Sequence, residues 1–390
     1  MERKSWKTKG ILAASLLVIA AAVAIAQSGA RGRRQAGAGG ADTPIATPAG
    51  KRVVEVVFVL DTTGSMAGLI EGAKAKIWAM ASHIAKGQPT PELRVGLIGY
   101  RDVGEAYVTR VYGLTGDLDS LYGHLMQFQA VGGGDTPEHV NKALHDAVHG
   151  MQWSPGAMKM VFLVGDAPPH MDYGDGYDYR QIVRDAANKQ IVVHAIRCGN
   201  VADTATVWQE IARAGQGTFA TIDQQGGVLA IATPMDAELA ALSRRYDGTM
   251  LVYGGEEAHR RVAAKGAVAA AAPEAAAADR GGYYAATGAK VDDADVLGDI
   301  ATGRVAVGSL APEKLPAEAR GLGADERQAW ADKKVKEREE VKRQIKDLSA
   351  KRDAYLKAEL GKRAHADGFD EVVNKAIEAQ AKDFGIKYAE

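Results

Sequence analysis

The run Val53-Val54-Glu55-Val56-Val57-Phe58-Val59-Leu60, followed at once by Asp61-Thr62-Thr63-Gly64-Ser65-Met66, constrains this chain more than any other stretch. A near-continuous block of β-branched and apolar residues of strand length describes a strand covered on both faces, which requires a parallel sheet with helices above and below it. The acid, hydroxyls and glycine that end it set oxygen ligands on a tight turn at the strand's carboxyl end, where open α/β sheets bind their ligands. Hard oxygen donors of this kind suit Mg²⁺, Ca²⁺ or Mn²⁺.

The rest of the first 250 residues repeats the alternation. Strand runs fall at Leu93–Tyr100, Met158–Gly165, Ile191–Arg197 and, more weakly, Thr218–Ile222, and Tyr107–Tyr112 alternates with polar residues as an edge strand does. Leu69, Ala73, Ile77, Met80, Ala81 and Ile84 recur at helical spacing, as do Val140, Ala143, Leu144, Ala147 and Val148. Further helices fit Tyr179–Lys189, Ala202–Ala214 and Gly227–Tyr246. Strands alternating with helices predict an α/β fold: a doubly wound, mostly parallel, Rossmann-like sheet over residues 52–250.

A cation of this hardness takes ~6 oxygen ligands, more than any one loop here supplies, so ligands must converge from several strand ends. Three loops fit: Asp61-Thr62-Thr63-Gly64-Ser65; Gly132-Gly133-Gly134-Asp135-Thr136-Pro137-Glu138 before a helix; and Gly165-Asp166-Ala167-Pro168-Pro169 after the strand core Met160–Val164. The arrangement closely resembles the von Willebrand factor type A domain and its metal-ion-dependent adhesion site, whose pattern is Asp-x-Ser-x-Ser after the first strand, a Thr from a second loop and an Asp from a third. Asp61, Thr63 and Ser65 match the first loop, with Thr in place of the first Ser, and Asp166 matches the third. In the second loop Thr136 is the natural counterpart, and Asp135, first after the glycines, is the alternative ligand. The resemblance implies a module that acts by binding. Its Mg²⁺ or Ca²⁺ (or Mn²⁺) would keep an open position that an Asp or Glu of a protein partner fills. The metal-free alternative is a Rossmann-like domain in which Thr63 or Ser65 only N-caps the helix starting near Met66.

Other constellations carry less. The loop His170-Met171-Asp172-Tyr173-Gly174-Asp175-Gly176-Tyr177-Asp178 directly follows the third ligand loop. Its acids suit a second Ca²⁺, its tyrosines a partner-reading rim, and Asp178 a helix cap. His145 and His149 sit one turn apart as in zinc proteases, but the intervening acid is Asp146 rather than Glu, and helix-surface histidines are the simpler reading. Gly132–Gly134 lacks the Lys-Ser/Thr of a phosphate loop, and Asp135 and Glu138 would repel phosphate. The single cysteine, Cys198, excludes an internal disulfide and reads as core.

Composition and the chain ends suggest where the protein works. Of 390 residues 46% are hydrophobic and 25% charged, and the net charge of -1 gives no field for nucleic acid. Arg3, Lys4, Lys7 and Lys9 precede an uncharged apolar run, Ile11–Ala26, ending Ala24-Ile25-Ala26. This reads as an export signal over residues 1–26, cleaved before Gln27 or retained as a membrane anchor, and the expectation is a protein of the periplasm or envelope of a bacterium. Residues 27–51 read as a disordered linker, and 251–323 as a low-complexity connector, rich in Ala from 263 to 282. Residues 324–390 read as a charged helical tail, with one helix to about Leu360 and another over Glu371–Phe384. Val341, Ile345, Leu348 and Tyr355 trace a heptad seam broken by Arg352, which suits a solvated hairpin or self-association through a coiled coil. The expected function is therefore non-enzymatic, metal-dependent protein binding. The alternatives are a metal-assisted hydrolase using His170 or the Asp172–Asp178 loop, and an envelope scaffold working through the tail.

Overall fold

In the computed structural model, which describes residues 52–134, 136–224, 231–361 and 368–388, the first strand run is β1 (Val53–Asp61), buried along its whole length. It lies at the centre of a six-stranded sheet of order β3-β2-β1-β4-β5-β6. The other strands are β2 (Glu92–Tyr100), β3 (Thr109–Thr115), β4 (Met158–Gly165), β5 (Ile191–Cys198) and β6 (Gln216–Ile222). All pairings are parallel except β3 on β2. β3 and β6 are the two edges, and no residue of β3 is buried.

The pleat of β1 divides the core. Val54, Val56, Phe58 and Leu60 face one side, where α1 (Ala67–Ala85) and α2 (Leu118–Met126) pack; Val57 and Val59 face the other, covered by α3 (Val140–His145), α4 (Tyr179–Asn188) and α5 (Ala202–Ala214). α3 continues as a π-helical turn, Asp146–Gly150. The sequence reading had no helix at α2, although Asp117 caps Ser120 N–H and Leu118, Leu121, Tyr122 and Leu125 are spaced to bury one face. The helix expected over Gly227–Tyr246 is α6 (Asp236–Asp247); residues 225–230 lie outside the described residues.

The largest correction concerns residues 251–323. They form no loose connector. α7 (Glu256–Ala271) and α8 (Glu274–Thr287) are helices, followed by the short α9 (Leu297–Ala301) and α10 (Ala317–Arg320). Ala is the best helix former and its small side chain permits close helix packing, so an Ala-rich stretch is as fit for a packed helix as for a linker. α8 lies on α1: Trp78 sits 6.1 Å from Tyr283 and 5.9 Å from Tyr284, ring centre to ring centre.

The charged tail is equally committed to the fold. α11 (Ala324–Leu360) runs from its N-cap Gly323, whose N–H the Glu326 carboxylate accepts, to Gly361, and so ends where the sequence places its end. Val341 and Ile345 of its heptad seam are fully buried in the main core. Arg352, which breaks the seam, bonds Asp236 and Asp279, both at 2.6 Å. α12 (Phe369–Ala381) returns to the sheet, with Phe369 6.0 Å from Phe58. The solvated hairpin is thus replaced by helices buried against their own chain. Residues 1–51 lie outside the described residues, and among those described no helix is long and apolar enough to cross a membrane.

Candidate metal centre

Strand order reverses beside β1: the chain goes to β2 on one side and later to β4 on the other. The crevice at the carboxyl ends of β1 and β4 is therefore the topological switch point, and it holds Asp61 and Asp166. Backbone bonds draw the three loops together there. Gly64 N donates to Gly132 O (3.2 Å) and Val131 N to Thr62 O (3.2 Å), joining the first loop to the second. Glu138 N donates to Pro168 O (3.0 Å) and His170 N to Glu138 O (3.1 Å), joining the second to the third. Gly165 is required by close approach, since a Cβ there would stand 3.0 Å from Asp61 Cβ and closer still to the Tyr100 hydroxyl.

Asp61 is fully buried. Its Oδ1 accepts from Thr63 N (2.8 Å) and from the Thr63 hydroxyl (2.7 Å), while Oδ2 is buried with no hydrogen-bond partner. Burial, with smaller contributions from Asp166 and Glu105, pushes this carboxyl up to about 7. Thr63 Oγ1 lies 3.4 Å from Ser65 Oγ. The Thr63 proton is spent on Asp61, which leaves its lone pairs available, and neither hydroxyl caps the following helix. The simple N-cap alternative is therefore not what these residues do. Asp166 is 9% exposed; Gln224 Nε2 donates to its Oδ2 at 2.6 Å and to Ser65 O at 3.2 Å.

An orphaned buried carboxylate oxygen beside two hydroxyls and a second carboxylate is a donor set that fits a hard divalent cation. Among the described residues no three His, Cys, Asp or Glu side chains converge to hold a metal by themselves. The fit therefore depends on the hydroxyls of Thr63 and Ser65 joining the two acids. Thr136 is exposed on the second loop, and Asp135 lies outside the described residues.

With this geometry the family comparison is specific. Residues 55–234 match the family model of the von Willebrand factor A domain. This segment is a von Willebrand factor A domain. Among curated proteins, 115 residues are 35% identical to human von Willebrand factor A domain-containing protein 7, covering 29% of this chain and 12% of that protein. A second match, the α-protein kinase vwkA of Dictyostelium discoideum, is 27% identical over 118 residues, covering 30% of this chain and 19% of that one. The matches thus span less than a fifth of either relative's length. Solved structures that align include the conserved hypothetical protein BatB from Bacteroides thetaiotaomicron (19% identity, TM-score 0.33, covering 44% of this chain and 90% of that one). Another is the mussel byssus proximal thread matrix protein 1, described with a zinc-occupied MIDAS motif (14% identity, TM-score 0.34, covering 44% and 41%).

Around the A domain's crevice the structure adds acids that sequence reasoning passed over as site residues. Glu138 is buried, its Oε2 has no hydrogen-bond partner, and burial together with Asp61 and Asp102 pushes it up to about 9. Glu105 accepts from Gly133 N at 2.8 Å, and Asp102 accepts from the Tyr173 hydroxyl at 2.5 Å. Asp102 and Glu105 follow β2 just as Asp61 ends β1, so an acid next to a strand's carboxyl end was the available signal. Gln224 had none, because it reaches the site only through the path of the loop after β6.

The His170–Asp178 loop does not gather its acids. Asp172 bonds His170 Nδ1 (2.9 Å), Asp175 bonds His139 (2.9 Å), and Asp178 caps Arg180 N (2.8 Å). His170 Nε2 stands 3.5 Å from Asp102, which joins this loop to the crevice. His145 and His149 lie 5.0 Å apart by ring centres, and His149 faces Asp185 at 3.3 Å. Cys198 is buried core, as expected.

Proposed function

We propose that this A domain is a divalent-cation-dependent protein-binding module rather than an enzyme. Asp61, Thr63, Ser65 and Asp166 would hold Mg²⁺, Ca²⁺ or Mn²⁺, with Thr136 or Asp135 completing the set from the second loop. The observation that carries this reading is the buried, unpartnered Oδ2 of Asp61 beside two hydroxyls. A cation with few charged protein ligands keeps net positive charge, so a carboxylate from a protein partner suits its open position. The His170–Asp178 loop, bonded to Asp102, would form the rim of that contact. We further propose that the N-terminal segment directs export, to the periplasm or the envelope.

Thermal melting of the full chain tests the metal reading. At ~100 times its dissociation constant a metal adds about 2.7 kcal/mol of apparent stability. We expect Mg²⁺, Ca²⁺ or Mn²⁺ to raise the melting temperature of the chelator-treated protein, and Asp61→Asn to abolish the rise. An equal rise in the variant would refute the assignment.

A further inference from the structure

Exposed large apolar side chains are unevenly spread over this molecule. Val103, Val131, Met171, Tyr173 and Val201 are each 37–54% exposed, and all five stand on loops at the carboxyl end of the sheet, around the crevice that holds Asp61 and Asp166. Among the described residues the others are scattered over β3, α2 and α11. A single exposed apolar side chain needs no cover, but several gathered on one face mark an interaction surface.

Bonds between the loops hold this group in place. Glu105, two residues beyond Val103, accepts from Gly133 N, two residues beyond Val131, at 2.8 Å. The Tyr173 hydroxyl donates to Asp102, the neighbour of Val103, at 2.5 Å. Asn141 of α3 holds the other end of that loop, donating to His170 O at 2.7 Å and lying 3.5 Å from Met171 Sδ. Val201 precedes α5, whose Thr204 hydroxyl donates to Asp166 O at 2.8 Å. Four of the five therefore flank the crevice on its β2 side, and Val201 stands on its β5 side. The carboxylates of Asp102, Glu105 and Asp172 lie beside them in the chain. Arg101, 3.6 Å from Glu105, offsets one of these charges, so with His170 neutral the rim is negative and repels further acids.

We propose that the crevice takes a protein segment in which one Asp or Glu stands alone between bulky apolar residues, the acid on the cation and its neighbours on Val103, Val131, Met171 and Tyr173. This rests on the cation-dependent reading above and narrows the partner. An acidic run meets the negative rim, and a lone acid in a polar segment leaves the apolar side chains uncovered. Covering roughly 55 Å² of apolar surface is enough for a tenfold preference.

The test titrates fluorescent peptides into the full chain, with Mg²⁺, Ca²⁺ or Mn²⁺ in turn and with chelator. The apolar peptide is Gly-Leu-Phe-Glu-Leu-Gly; the controls are the polar Gly-Ser-Asn-Glu-Ser-Gly and the acidic Gly-Glu-Glu-Glu-Asp-Gly. We expect the apolar peptide to bind at least tenfold tighter than either control, and to lose binding in chelator or when its Glu is changed to Gln. Val103→Ser with Val131→Ser, the two most exposed of the group, should bring its affinity close to that of the polar peptide, while metal still raises the melting temperature as in the unaltered chain. Equal binding of a control, a variant that binds like its parent, or no binding of the apolar peptide would each overturn the proposal while the metal-induced rise in melting temperature leaves the cation reading standing. Apolar binding indifferent to chelator and to the Gln change would overturn the link to the cation. The absence of any melting response to metal would overturn the cation reading itself, and this inference with it.

Discussion

Asp61 shows how much one residue's surroundings decide. Its place after β1 was legible from the strand run and the Thr-Thr-Gly-Ser that follows, because local sequence builds that turn. Its electrostatics were not, because they come from total burial and from Asp166 and Glu105 on other loops. Two consequences follow for pH. Metal binding needs the carboxylate, so with the metal-free group at about 7, apparent affinity should fall about tenfold per unit below pH 7 and level off above ~8. Calorimetric titration between pH 5 and 9 checks this, and a flat profile would remove Asp61 from the ligand set. In the metal-free protein the sign is opposite. The folded pKa lies above the ordinary 3.8, so the unfolded chain holds fewer protons between those values, and the stability this group contributes is lost as pH rises through about 7. Saturating metal should cancel that loss.

At the scale of elements, α8 is fastened by a buried ion-pair knot. Arg280 grips Asp119 of α2 with two bonds (2.6 and 2.9 Å) and Asp247 of α6 with two more (2.9 and 3.0 Å), while the Tyr284 hydroxyl also bonds Asp119 at 2.8 Å. Arg280 and Asp119 are 1% and 2% exposed. Removing one partner of a buried pair strands the other charge, which costs about 3–5 kcal/mol. Arg280→Met should lower stability by that amount in urea unfolding, and Arg280→Met with Asp119→Asn should cost less than the two single changes added. A loss below ~1 kcal/mol would mean that the knot is solvated. None of this was readable in advance. An Arg within an Ala-rich, low-complexity stretch has no local signature, and its partners lie 161 and 33 residues away.

For the whole molecule, the C-terminal helices complete the core of the A domain instead of trailing from it. Tyr283, Tyr284, Phe369, Val373, Ile377, Val341 and Ile345 all join the cluster built on β1 and α1. Fully burying one such aliphatic or aromatic side chain contributes about 1.5–3 kcal/mol, so their gross sum, before the entropy of ordering the helices, is of the size of a whole domain's net stability, about 5–15 kcal/mol. A fragment of residues 52–250 should therefore bind an apolar dye and lose its cooperative melting transition, while the full chain keeps both a dry surface and a single transition. A fragment that melts as sharply as the full chain would show that the helical layer is an accessory. The sheet, its mostly parallel strands, an edge strand near Tyr107–Tyr112 and the placing of Asp61 and Asp166 at neighbouring strand ends were legible in the sequence alone. Each depends on periodicity, strand length or turn chemistry within a short window, and windows of that size carry their own signal. Tertiary structure decided the rest: the order of packing in the helical layer, the burial of the α11 seam against its own chain, the pairing of Arg352, and the acids and Gln224 that surround Asp61 and Asp166. Those features are set by which surfaces meet across hundreds of residues, and helical periodicity reports that a face is apolar without reporting what covers it.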